Sequence, residues 1–93
     1  MTIAFAGFDW DEGNREKCLK HGVPLGEIEA LFSRSIAIRP DLTHSTSETR
    51  FLAIGLTAEG RYVFIAFTVR RRDGANYIRP QRALHASQGG RAV

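Results

Sequence analysis

Phe51-Leu52-Ala53-Ile54-Gly55-Leu56, Thr57-Ala58-Glu59-Gly60 and Arg61-Tyr62-Val63-Phe64-Ile65-Ala66-Phe67-Thr68-Val69 follow one another and hold the longest apolar runs of the chain. The first and third pieces read as strands. The second reads as a four-residue connection, in which Gly60 reaches a left-handed backbone at little cost. In the second strand Tyr62, Phe64 and Ala66 fall on one face, and Val63, Ile65, Phe67 and Val69 on the other. A strand apolar on both faces belongs in the middle of a sheet, covered on both sides or partnered by a second molecule. Arg70-Arg71-Arg72-Asp73-Gly74 then turns the chain. Ala75-Asn76-Tyr77-Ile78-Arg79 returns as a third strand, which Pro80 is expected to stop because proline cannot donate to a ladder.

Outward from this meander, the pattern supplies its cover. Ile3 to Phe8 is expected to add a short edge strand, interrupted by Gly7. Asp11 is a good N-cap for a helix from Glu12 to about Lys20, with Lys17 and Lys20 near its negative end and Gly22 as a left-handed stop. Cys18 and Leu19 give it only a narrow apolar stripe, so Trp10 is expected to anchor it. Pro24 opens a second helix, in which Leu25, Ile28, Leu31 and Phe32 form one apolar face. Ile36-Ala37-Ile38 reads as a short strand before Pro40, and residues 41–50 as a polar loop. Gln81 to Ser87 has the look of one or two helical turns, and Gln88 to Val93 of a frayed tail. The whole is α+β in two layers: two short N-terminal helices packed on a mostly antiparallel sheet of about four to five strands.

The length of 93 residues fits a single domain with a modest core. No stretch approaches the roughly 18 to 20 apolar residues of a membrane span. Met1 to Ala6 lacks the basic start of a signal peptide, and a lone Cys18 fits a reducing compartment, so a cytoplasmic protein is expected. Charge is uneven. From Arg61 onward there are seven arginines and one acid, Asp73, which points to an anionic partner or, equally, to a solvated basic turn. His21, His44 and His85 are far apart and no HxH, HxxxH or CxxC spacing occurs, so neither a zinc site nor another metal cofactor is expected. A phosphate loop of the G-x-x-x-x-G-K type is also lacking.

What remains are acid–base and cationic groups at the ends of elements: Lys20 and His21; His44, Glu48 and Arg50; Arg79, Arg82 and His85. A ribonuclease working without metal needs a base for the 2′-hydroxyl proton, an acid for the leaving 5′-oxygen, and cations for charge building on the phosphorane. These residue types suffice for all three roles. Lys20-His21 reads equally well as positive charge complementing the carbonyl end of a helix, and Arg50 as a strand-edge cation.

Phe8-Asp9-Trp10-Asp11-Glu12-Gly13-Asn14-Arg15-Glu16-Lys17-Cys18-Leu19-Lys20-His21-Gly22-Val23 resembles the opening motif of the BrnT toxins. Pro40-Asp41, His44, Glu48, Arg50-Phe51-Leu52-Ala53-Ile54-Gly55 and Gly60-Arg61 resemble a second block, and Tyr77-Ile78-Arg79-Pro80 a third, so the likeness spans residues 8 to 80 in order. The resemblance implies a RelE-like ribonuclease fold and a toxin that arrests growth by attacking RNA and translation. It implies a BrnA-like ribbon-helix-helix antitoxin as partner, with DNA engaged only through that antitoxin. It also implies that Lys20, His21, His44, Glu48, Arg50, Arg79 and Arg82 converge at one edge of the sheet. His44 or Glu48 is then the candidate base, His21 or His85 the acid, and Lys20 with the arginines the phosphate clamp. After Pro80 the chain departs from the family, whose terminal helix looks shortened or replaced by Gln81-Arg82-Ala83-Leu84-His85-Ala86-Ser87. Two expectations follow. A sheet face left open would be covered by the antitoxin or by a second copy of the chain. The alternative to an enzyme is a toxin-fold protein that binds antitoxin or RNA without cleaving.

Overall fold

Local chemistry fixes the first helix before any packing is considered. The computed structural model describes residues 4–34, 36–44 and 46–86, with the His44 side chain outside the described part. Helix α1 (Glu12–Leu19) starts at Asp11, whose carboxylate accepts from the Asn14 N–H while the Asn14 side chain accepts from the Asp11 N–H. The Asn14 amide also donates to the carbonyls of Asp9 and Pro80, both at 2.9 Å, and so ties the helix to the sheet. Helix α2 (Leu25–Phe32) follows Pro24 and buries Ile28, Leu31 and Phe32. Replacing the buried Asn14 by alanine is expected to cost about 2 kcal/mol, because it strands two carbonyls and an N–H. Urea unfolding measures this, and a loss below half a kcal/mol would contradict the tie.

Among the described residues five strands complete the fold: β1 (Gly7–Phe8), β2 (Ala37–Pro40), β3 (Phe51–Leu56), β4 (Tyr62–Arg72) and β5 (Ala75–His85). They form one sheet in the order β1-β5-β4-β3-β2. Only β1 runs parallel to its neighbour; the other pairs are antiparallel. The expected α+β arrangement of two helices on a mostly antiparallel sheet is what forms, with β4 at its centre. Gly7 does not interrupt β1 but belongs to it, opposite Tyr77.

Two expectations about the end of the meander are corrected. Arg70 to Arg72 do not turn the chain; they remain in β4, and Asp73-Gly74 turn it alone, at φ of 50° and 78°. Two positive φ values suit the two-residue turn that matches strand twist, so the arginines are left to the ladder. Pro80 does not stop β5 either, and residues 81–85 are strand rather than helical turns. The register shifts here, with Pro80 opposite Phe67 and Arg82 opposite Ala66, which leaves Gln81 as an extra residue. A bulge tolerates proline. Strand β1 reaches only Tyr77 and Ile78, so β5 beyond them has no strand on its outer side among the described residues. The expected tail from Gln88 to Val93 lies outside the described residues.

The core lies between the helices and one sheet face. Val63, Ile65, Phe67, Ala53, Ile78 and Ala83 point into it, against Ile28, Leu31, Phe32, Val23 and Cys18. Phe67 meets Phe32 edge-on at 5.1 Å and stacks on Phe51 at 5.4 Å. Leu31 leaves no room for a side chain at position 55: a Cβ there would stand 2.9 Å from its Cδ2, so the glycine allows the helix its close approach. Burial pushes the Cys18 thiol up to about 11 and keeps it protonated at neutral pH.

Candidate active site

Among the described residues, no helix covers the sheet's second face. Along β4 the alternation that buries Val63 and Ile65 turns Tyr62 and Phe64 outward, and they are 55% and 40% exposed. At the edge of this face the end of α1 comes near β5 and the end of the polar loop after β2. Between them lies a cleft of about 360 Å³ lined by Lys17, Lys20, His21, Arg50, Gln81 and Arg82. Lys17, Lys20 and His21 share one side of α1 and its C-terminal turn because residues three and four apart are neighbours on a helix. Arg50 comes from the residue before β3, and Arg82 from β5 just past the bulge.

Arg50 is held in place. Its carbonyl accepts from the Asp41 N–H at 2.7 Å, and its Nε stands 3.9 Å from the Asp41 carboxylate. Lys17, Lys20, His21 and Arg82 are exposed. A concave surface lined by four cations and one imidazole, with the Asp41 carboxylate behind Arg50, concentrates anions. The chemistry it can offer is phosphate binding with proton transfer from His21. Among the described residues no group of three or more His, Cys, Asp or Glu could hold a metal ion.

The structure thus brings together Lys20, His21, Arg50 and Arg82 of the residues singled out in the sequence. Arg79 lies in a neighbouring recess with Asp11, Lys17 and Gln81. Its guanidinium is engaged by Asp11 at 2.6 Å and Asp9 at 3.5 Å. The Asn14 N–H and then Arg79 hold the Asp11 carboxyl below its ordinary value, and Asp11 in turn raises Arg79. Glu48 is bonded to Arg70 and does not line the cleft. His85 is not brought there at all. It sits opposite Val63, on the helix-covered face, with Nε2 3.0 Å from Glu27 of α2. The bulge brings this about: Ile78 and Pro80 lie opposite Val69 and Phe67, and the extra residue then puts Ala83 and His85, instead of Arg82 and Leu84, on the core side. His44 ends a short 3-10 turn (Leu42–His44), and its side chain lies outside the described part.

Lys17 and Gln81 line the cleft as well, although the sequence does not single them out. Lys17 was legible from its spacing to Lys20 and His21. Gln81 was not, because it reaches the cleft through a bulge that strand periodicity does not announce.

Residues 10–86 match the family described as the ribonuclease toxin, BrnT, of a type II toxin-antitoxin system. The chain belongs to the BrnT family. The match spans all the residues that line the cleft and most of the fold that positions them. A search of curated protein sequences returns no significant match. A BrnT ribonuclease toxin of a type II system has a cognate antitoxin as its partner, and RNA cleavage is its activity. No helix among the described residues is long and apolar enough to cross a membrane.

Proposed function

We propose that this BrnT protein cleaves RNA in the cleft between α1 and the sheet, without a metal ion. The observation that carries the reading is the convergence of Lys17, Lys20, His21, Arg50 and Arg82 on one concave surface. In this scheme a 2′-oxygen attacks the adjacent phosphorus as its proton passes to a base, and the P–O5′ bond breaks as an acid protonates the leaving oxygen. His21 is the acid. The family resemblance offers His44 or Glu48 as the base, and the ion pair of Glu48 with Arg70 leaves the role to His44. Lys20, Arg50 and Arg82 take up the charge of the phosphorane, where a preorganised cation in a walled site acts more strongly than in water. Arg79, bound to Asp9 and Asp11, holds α1 against the sheet so that Lys20 and His21 stand over the cleft.

The cations supply the charge that a divalent ion would otherwise bring and disfavour binding one. Cleavage by the purified chain is therefore expected to persist in excess chelator and to weaken as salt screens the phosphate contacts. Loss of activity in chelator, restored by a divalent cation, would overturn the metal-independent part. RNA left intact with and without ribosomes, while the antitoxin still binds, would replace the enzyme by a toxin-fold binding protein.

The family resemblance carries the finer partner reading: a ribbon-helix-helix antitoxin, through which the complex reaches DNA. RNA as substrate sets the work in the cytoplasm. A second copy of the chain is the alternative cover for the open sheet face, and sedimentation of the isolated toxin distinguishes the two.

A further inference from the structure

We infer that the apolar hollow next to the cationic cleft is a nucleobase subsite, in which an unpaired base of the RNA stacks on the Phe64 ring. This rests on the reading of the cleft as the RNA site. The hollow measures about 530 Å³, within the range of small-ligand pockets, and its floor is apolar. Phe64 lies in the middle strand, with Ile54 and Leu84 beside it across the ladder on the same face. It is nevertheless 40% exposed. An aromatic ring left open in the centre of a sheet can receive another flat, apolar face.

Charge identifies the occupant. Arg50 and Arg82 line both the cleft and the hollow. A phosphate held at these guanidiniums carries its own nucleoside, and the base can reach only a short distance from it. The hollow adjoins the cleft through these two arginines. Its rim holds Thr43, whose hydroxyl can hydrogen-bond a base edge. The Asp41 carboxylate also disfavours an acidic peptide segment there. A base inside a duplex already stacks on its neighbours and cannot enter, so the substrate is single-stranded at this position.

The test measures affinity for two non-cleavable probes. One is a short single-stranded RNA oligomer blocked at its 2′-oxygens, and the other is the same sugar–phosphate chain without bases. Wild-type protein is expected to prefer the first by roughly 10-fold or more, the scale of stacking one base on an aromatic side chain. Phe64→Leu keeps an apolar side chain but removes the ring, and should abolish that preference while binding the abasic chain as before. Phe64→Tyr should restore it. Thermal melting of Phe64→Leu checks that the fold is kept.

Several results would overturn the subsite. If Phe64→Leu retains the base preference while Arg82→Ala weakens both probes, the cleft stands and the subsite falls. If wild-type protein binds neither probe, the RNA reading of the cleft fails and the subsite with it. If Phe64→Leu keeps the base preference but loses the cognate antitoxin, the face belongs to the protein partner.

Discussion

Ile65→Ala is expected to lower the unfolding free energy by about 2 to 5 kcal/mol, the usual cost of emptying a buried aliphatic site. Ile65 is fully buried in the central strand. Its cross-strand neighbours are Ala53 and Ala83, small residues that leave its space to it and cannot expand to refill it. The adjacent Phe64→Ala should cost far less, about 1 kcal/mol, because that ring is half open to solvent. From the sequence the two positions look equivalent, since both belong to one apolar run. Chemical denaturation of the two variants measures the difference. Equal losses at both sites would mean that the second face is covered as well as the first.

His21→Ala is expected to lower the rate of RNA cleavage by roughly 10²- to 10⁴-fold, the usual effect of removing a proton-transfer group, with most of the RNA affinity kept. Arg82→Ala should act differently. It removes a phosphate contact, so affinity and cleavage fall together, and the slope of log affinity against log salt becomes shallower by about 1. His85→Ala, by contrast, should leave cleavage within a few-fold of wild type, because His85 pairs with Glu27 beneath the sheet. Single-turnover cleavage and binding at several salt concentrations separate the three. A His21→Ala protein that cleaves at the wild-type rate would remove His21 from the chemistry.

Much of this protein is legible in the residues themselves. Asp11 announces a helix start, and Pro24 with Leu25, Ile28, Leu31 and Phe32 a sheet-covering helix, because caps and 3.6-residue spacing act within a few residues of one another. The doubly apolar Tyr62 to Val69 announces a central strand for the same reason: alternation is a property of the strand alone. Lys17, Lys20 and His21 share one side of α1 whatever the helix packs against. Other features depend on partners distant in sequence. Pro80 reads as a stop, yet β5 runs on to His85, because a bulge and an outer side without a strand remove the penalty. Which of Arg82 and His85 reaches the cleft is set by that register, which puts one on each face. The pairing of Arg79 with Asp9 and Asp11, and of Glu48 with Arg70, is likewise decided by where strands and loops meet. Sequence by itself determined the elements and the supply of charge. Only the tertiary structure decided which charges face RNA and which hold the fold together, because a side chain's role follows from the face it is turned to and the partner it meets there.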